Sequence, residues 1–333
     1  MKKRCFLLGF LLLSLVAAGC APKAAPAPAP APAPVTVKVG VPSDGVFGLI
    51  GNYILDKAID SKHGLIMDPV WARVPEIQRL LGLGEIKVGL NTKDGALNLN
   101  SKNIPIRLVV PALSAHQFLL VAKDSPYQKV EDLKGKKIAT TGETTGMYMM
   151  TSYILKVKGL SFEEDFKPIK GGVPAIIAFL SKGEVDGALI WEAHASKQLA
   201  TGKYRALMGF SEELGKLFPG HVELLAFIAA YEDWLKANPQ TAAKLRDVWL
   251  EGAARAKEDK EYFRTKGAKQ FFGIEDPATV ELAWERTSPY MGPVQRWPDQ
   301  ALIDMQKERL RDGIRVGAFP EAVAPFVDKI FWQ

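Results

Sequence analysis

Cysteine is almost missing from this chain. Cys5 and Cys20 are the two present, so everything from Ala21 to Gln333 has no thiol. That excludes disulfides, thiolate metal sites and a cysteine nucleophile from the body. Histidine is scarce as well: His63, His116, His194 and His221 stand isolated in sequence, which suits surface or satisfied-core positions better than a metal cluster. No Walker-type phosphate loop, GxSxG elbow or HExxH pair occurs, so the common nucleotide, acyl-transfer and zinc chemistries find no motif. No basic run interleaved with aromatics points to nucleic acid. The formal charge is +6, and Lys2, Lys3 and Arg4 supply half of it, which leaves weak attraction for any polyanion. We expect no catalytic residues, no metal and no cofactor.

The apolar run Phe6–Ala18 is too short for a comfortable membrane span. After Lys2–Arg4 it has the shape of a secretory h-region. It ends in Ala17–Ala18–Gly19–Cys20, small residues before a cysteine, with Leu15 and Val16 just upstream. This resembles the lipobox of bacterial lipoproteins, which implies cleavage before Cys20 and lipid on its thiol; the plain alternative is an ordinary secreted protein with a chance cysteine. Ala21–Pro34 is mostly alternating Ala and Pro. Such a segment packs no core and favours extended polyproline II, a tether of about 40 Å. The expected leader is 1–19, and the lipidated cysteine with its tether is 20–35.

The body holds enough chain for two domains or one large α/β unit, and 47% hydrophobic residues suit a packed globule. Val35–Val41 reads as a strand, Pro42–Gly45 breaks it, and Val46–Ile59 has helical spacing. Strands are expected at Leu65–Trp71, Ile86–Leu90, Ile106–Val110 and Phe118–Ala122, with a helix at Pro75–Leu83. A second block repeats the plan: strand Lys136–Thr140, helix Gly146–Lys158, strand Phe166–Ile169, helix Pro174–Ser181 and strand Gly187–Ile190. Gly84–Glu85 and Gly183–Glu184 each follow a helix and lead into a short apolar strand. After the extended run Val222–Ala230 the pattern is helical: Trp234–Ala256, Tyr262–Phe272, Pro277–Arg286, Asp299–Gly313 and Pro320–Ile330. The aromatics of this part fit core packing.

The entry Asp132–Leu133–Lys134–Gly135–Lys136–Lys137–Ile138, the loop Gly142–Glu143–Thr144–Thr145, the turn Gly183–Glu184–Val185–Asp186 and the pair Trp191–Glu192 resemble, in their order and spacing, the sulfonate/nitrate/taurine and thiamine-precursor (NMT1/THI5-like) group of type II periplasmic binding proteins. The likeness covers about Val37 to Pro239, more weakly beyond. It implies an α/β fold of two lobes joined by two hinge crossings, near Gln117–Lys123 and Val222–Ala229. Lobe one would be 36–120 and 226–333, and lobe two 121–225. A small molecule bound between the lobes would drive closure and signal to an ABC permease and ATPase. The expected protein is a monomeric, extracytoplasmic lipoprotein held at a membrane by its lipid alone. Alternatives are the same fold serving a signalling partner as a sensor, and a secreted enzyme.

Three strand-end loops should face the cleft, where open α/β sheets bind ligands: Asp44, Gly45 and Phe47; Asn91 and Thr92; Gly142, Glu143, Thr144 and Thr145. Loops opening helices offer free N–H groups and a positive dipole end to an anion such as a sulfonate, nitrate or carboxylate. Thr144 or Thr145 can equally cap its own helix. Glu143 and Asp44 would repel an anion and, with Trp191, suit an aminopyrimidine, whereas Lys93 would pair with an anion. Glu192 is a ligand contact or a plain interface acceptor. His116, beside the first crossing, has the best chance among the histidines of lying near the cleft.

Overall fold

The computed structural model describes residues 33–143 and 145–333. The leader, Cys20, nearly all of the tether and Thr144 lie outside the described residues. The ten strands, in chain order, are β1 (Val35–Pro42), β2 (Leu65–Ala72), β3 (Val88–Thr92), β4 (Ile106–Ser114), β5 (Gln117–Ala122), β6 (Lys137–Thr140), β7 (Lys167–Lys170), β8 (Gly187–Trp191), β9 (Tyr204–Gly209) and β10 (Leu224–Tyr231).

They form two five-stranded sheets, β2-β1-β3-β10-β4 and β7-β6-β8-β5-β9. Within the first, β1 runs parallel to β2 and β3, and β10 runs antiparallel to β3 and β4. Within the second, β6 runs parallel to β7 and β8, and β5 runs antiparallel to β8 and β9. The two sheets therefore share one plan, and in each the reversed strand is the one that enters from the other lobe. This is the expected two-lobed α/β fold. Every residue of β4 and β10 is buried, as expected of strands covered by helices on both faces.

The Gly–Glu turns have a common cause. Gly84 (φ +72°) and Gly183 (φ +69°) adopt the left-handed conformation that glycine takes without strain. Glu85 N–H then donates to Leu80 O at 3.0 Å, and Glu184 N–H to Phe179 O at 2.9 Å. Both are the six-to-one bond of a Schellman stop, so the sequence likeness marks equivalent helix ends in the two lobes.

Several expected boundaries move. Gln117–Ala122 is a full strand of the second sheet, so the first passage between sheets is Ala115–His116 rather than Gln117–Lys123. Helix Lys93–Ser101 and strand β9 carry no clear apolar period along the sequence. Trp234–Ala256 is two helices, Glu232–Ala237 and Pro239–Glu258, because Pro239 has no N–H to continue the first and favours the start of the second. Pro320–Ile330 holds a 3₁₀ turn, Glu321–Phe326, instead of a helix.

Helix Pro239–Glu258 packs on helix Gly45–Asp56, with Trp249 fully buried. Downstream, the chain touches both lobes. Helix Pro277–Thr287 packs against helix His194–Leu199 of the second lobe, and Lys197 Nζ donates to Gly273 O at 2.8 Å. Gly292 N–H then returns to Ala112 O at 3.1 Å, at the end of β4.

Candidate functional site

Strands β1 and β3 of the first sheet and β6 and β8 of the second present their C-terminal ends to one another. Thr92 caps helix Lys93–Ser101 by accepting from Gly95 N–H at 3.1 Å, and Thr145 caps helix Gly146–Val157 by accepting from Tyr148 N–H at 3.4 Å. A Cβ on Gly146 would stand 3.2 Å from Thr92 Cγ2. The two helix N-termini thus meet across the lobe boundary, and glycine permits the approach. Close by, a Cβ on Gly45 would stand 3.9 Å from Trp191 Nε1, so the loop after β1 and the end of β8 also face each other. Of the two roles weighed for Thr145, capping is the one its hydrogen bonds display.

The charged residues of these loops are arranged differently from expectation. Lys93 is buried and donates to Glu223 at 2.6 Å and to Gln306. Asp94 and Glu223 both accept from buried Arg309, at 3.1 and 2.7 Å, and His221 Nε2 lies 2.7 Å from Glu223. Burial lowers the Lys93 pKa to about 8. Burial alone would raise Glu223, but Arg309 and Lys93 outweigh it and hold that carboxyl well below the usual range. Lys93 is therefore committed to an internal network and is not a free cation for a ligand. Glu143 is exposed and pairs with Lys170, which also lies 3.4 Å from Glu163, so its carboxylate is engaged by a lysine beside its own loop. Phe47 is likewise corrected: it is buried in the core with its ring 4.5 Å from Trp249, because the turn at Asp44–Gly45 directs the first helical residues inward. Gly142 has open space where a Cβ would point, and Asp44 makes no capping bond to its helix.

Several buried side-chain polar atoms of the described residues lack a partner, Thr140 Oγ1, Thr287 Oγ1 and Arg309 Nη1 among them, and Asn91 and Arg286 each carry one more. Asn91 is 1% exposed; its Oδ1 accepts from Thr92 N–H at 2.8 Å, while its Nδ2 has no partner. Arg286, from helix Pro277–Thr287, donates through Nε to Glu192 at 2.6 Å, and its Nη2 is buried without a partner. Glu192 is itself completely buried and accepts from the Ser196 N–H and hydroxyl at 3.0 and 2.6 Å. His116 is buried in the passage between the sheets; burial lowers its pKa to about 4, although the Ser114 carbonyl 3.0 Å from Nδ1 favours the proton. The His194 ring stands 6.3 Å from that of Trp191, and burial lowers its pKa while Asp44 works the other way. Three residues outside the expected set touch it: Arg286 through Glu192, His194 through Trp191, and Tyr290 with its ring 6.1 Å from that of His116. Arg286 lies 94 residues from Glu192 in sequence, and no local signal marks it.

Among the described residues no group of three or more His, Cys, Asp or Glu is placed to hold a metal ion, and no helix is long and apolar enough to cross a membrane.

This architecture is that of the two-lobed periplasmic binding proteins. The alkanesulfonate-binding protein SsuA of Xanthomonas axonopodis pv. citri, solved bound to MOPS, is 20% identical, with a TM-score of 0.73 over 91% of this chain and 99% of its own. The aliphatic sulphonate binding protein SsuA of Escherichia coli is 20% identical, with a TM-score of 0.71 over 90% and 98%. The nitrate-binding protein NrtA of Synechocystis PCC 6803 is 15% identical, with a TM-score of 0.59 over 90% and 86%. A family model described as "ABC transporter, phosphonate, periplasmic substrate-binding protein" matches residues 73–272. The chain belongs to that family of periplasmic substrate-binding proteins of ABC transporters, a family of binding proteins rather than enzymes, whose location is extracytoplasmic. Curated relatives match in part only. The ATP phosphoribosyltransferase of Nitratidesulfovibrio vulgaris is 44% identical over 72 residues, 20% of this chain and 25% of that protein. That of Solidesulfovibrio magneticus is 28% identical over 195 residues, 55% of this chain and 57% of that protein. The chain spans between a quarter and little more than half the length of these relatives.

Proposed function

We propose that the protein is the solute receptor of an ABC importer and that its solute is a small oxyanion of the phosphonate or sulfonate class. The observation that carries this is the meeting of two helix N-termini at Thr92 and Thr145 beside the unpartnered Nδ2 of buried Asn91. Backbone N–H groups and helix dipoles there favour negative charge, and Nδ2 lacks an acceptor. Of the two acids that argue against an anion, Glu143 is engaged by Lys170, whereas Asp44 makes no capping bond to its helix. The weight given to an aminopyrimidine falls accordingly. The names of the neighbours, alkanesulfonate- and nitrate-binding proteins, and the family description support the same solute class.

The binding set on this reading is Asp44, Gly45, Asn91, Thr92, His116, Gly142, Thr145 and Trp191, with Glu143 outside direct contact. Closure of the lobes on the solute presents the protein to its permease. We further propose lipid attachment at Cys20, with the Ala/Pro segment as tether; Cys20→Ala should release the protein from the membrane fraction of cells, and retention there would refute the anchor.

Binding is tested by thermal shift and calorimetry with methylphosphonate, ethanesulfonate, nitrate and an aminopyrimidine. A true ligand at one hundred times its Kd stabilises by about 2.7 kcal/mol. Stabilisation by the aminopyrimidine alone would overturn the oxyanion reading.

A further inference from the structure

The guanidinium of Arg286 is incompletely used by the folded chain. Nε donates to Glu192 Oε1 at 2.6 Å, and the guanidinium carbon lies 4.6 Å from the centre of the Phe118 ring. Nη2 is buried and has no hydrogen-bond partner. Glu192 has nothing more to give, since its other oxygen takes the N–H and hydroxyl of Ser196. A buried donor on a cationic group is costly to leave without an acceptor.

Glu192 follows β8 directly, Phe118 lies at the start of β5, and Tyr290 stands 6.1 Å from the His116 ring in the passage between the sheets. Phe118 and Glu192 lie at one end of the second sheet, where Gln117 pairs with Trp191 and Trp191 faces Gly45 of the first lobe; Tyr290 packs on Phe118 from the C-terminal segment. The helix carrying Arg286 is seated on the second lobe and its chain returns to β4 of the first at Gly292.

We propose that Arg286 is a ligand-binding residue: its Nη2 donates to an anionic oxygen of the solute in the closed cleft, and Glu192 is the positioning residue that holds the guanidinium there. This rests on the oxyanion reading above. A guanidinium fixed on one nitrogen by a carboxylate and backed by an aromatic face offers its remaining N–H groups in a set direction, which suits phosphonate, sulfonate or carboxylate oxygens. Because its segment touches both lobes, the contact also joins the C-terminal helices to solute-driven closure.

The test is calorimetric titration of methylphosphonate and ethanesulfonate into the full-length protein and its variants. Arg286→Met alone strands the buried Glu192, so the informative variant is the double substitution Glu192→Gln with Arg286→Met, which removes both charges. It should keep the unliganded Tm of the parent and lose about 30-fold in oxyanion affinity, the size of one charge-assisted hydrogen bond. Glu192→Gln alone keeps the guanidinium but loosens it and should cost about threefold to tenfold. Oxyanion affinity of the double variant within about threefold of the parent would overturn the proposal and leave Nη2 a water-binding structural group. A parent that binds neither probe sinks the oxyanion reading, and this inference with it.

Discussion

Acid should loosen the fold through His116, and the size of the effect follows from its burial. His116 is 6% exposed, and its pKa falls from 6.5 to about 4, chiefly because burial disfavours the imidazolium, with His194 adding to the depression and the Ser114 carbonyl opposing it. In the unfolded chain the ring regains its ordinary affinity for a proton. Between about pH 6.5 and pH 4 the unfolded state therefore holds more protons than the folded one, so stability rises with pH through that window and is lost as pH falls through it. The complete effect is about 3 kcal/mol. Between pH 7.5 and pH 5 it is about 2 kcal/mol, since the folded ring is still almost fully neutral at pH 5. The perturbation is His116→Asn, whose amide N–H can occupy the Nδ1 position and keep a donor to Ser114 O. Urea unfolding at the two pH values, extrapolated linearly to water, measures parent and variant. The variant loses some packing at both, but its drop in stability from pH 7.5 to pH 5 should be smaller by about 2 kcal/mol. Glu223 is held low and contributes stability that is lost only as pH falls below its ordinary 4.5, so it stays out of this window; His194 and Tyr290, the ring nearest His116, are common to both proteins. Parallel pH dependences in the two proteins would refute a neutral, buried His116.

The same physics gives three further expectations. Arg309→Met leaves Asp94 and Glu223 buried beside a single cation, Lys93, and should cost about 3–5 kcal/mol in urea unfolding; a loss below about 1 kcal/mol would mean the network is solvated. Gly146→Val puts a branched side chain where a Cβ already stands 3.2 Å from Thr92 Cγ2, so it should push the two helix starts apart and lower oxyanion affinity about tenfold or more; titration showing affinity within about threefold of the parent would refute a role for this approach in binding. Glu143→Gln should change that affinity by less than about threefold, since the carboxylate pairs outward with Lys170; a tenfold gain would show that Glu143 faces the solute after all.

Much of the fold was legible in the sequence because its signals are local. The apolar periods of the first two βαβ units, the Gly–Glu stops and the polar loops after β1, β3 and β6 all depend on residues a few positions apart, and the two equivalent turns at Gly84 and Gly183 exposed the internal repeat. Elements without such a period escaped, among them the helix Lys93–Ser101 and the strand β9. The site was read less well than the fold. The polar loops that end β1, β3 and β6 are legible along the chain, whereas the pairing of Lys93 with Glu223 and of Glu143 with Lys170 is not.

The sequence by itself determined which backbone ends meet: strand, loop and helix start at Thr92 and at Thr145, with Trp191 closing β8. Only the tertiary structure decided which side chains remain free there. Lys93 is cancelled by Glu223, 130 residues away, Glu143 by Lys170, 27 residues away, and Glu192 is claimed by an arginine 94 residues downstream. Secondary structure follows from neighbours along the chain, whereas the field in a cleft is set by pairings across it, and a buried charge takes whichever partner the packing of distant segments brings to it.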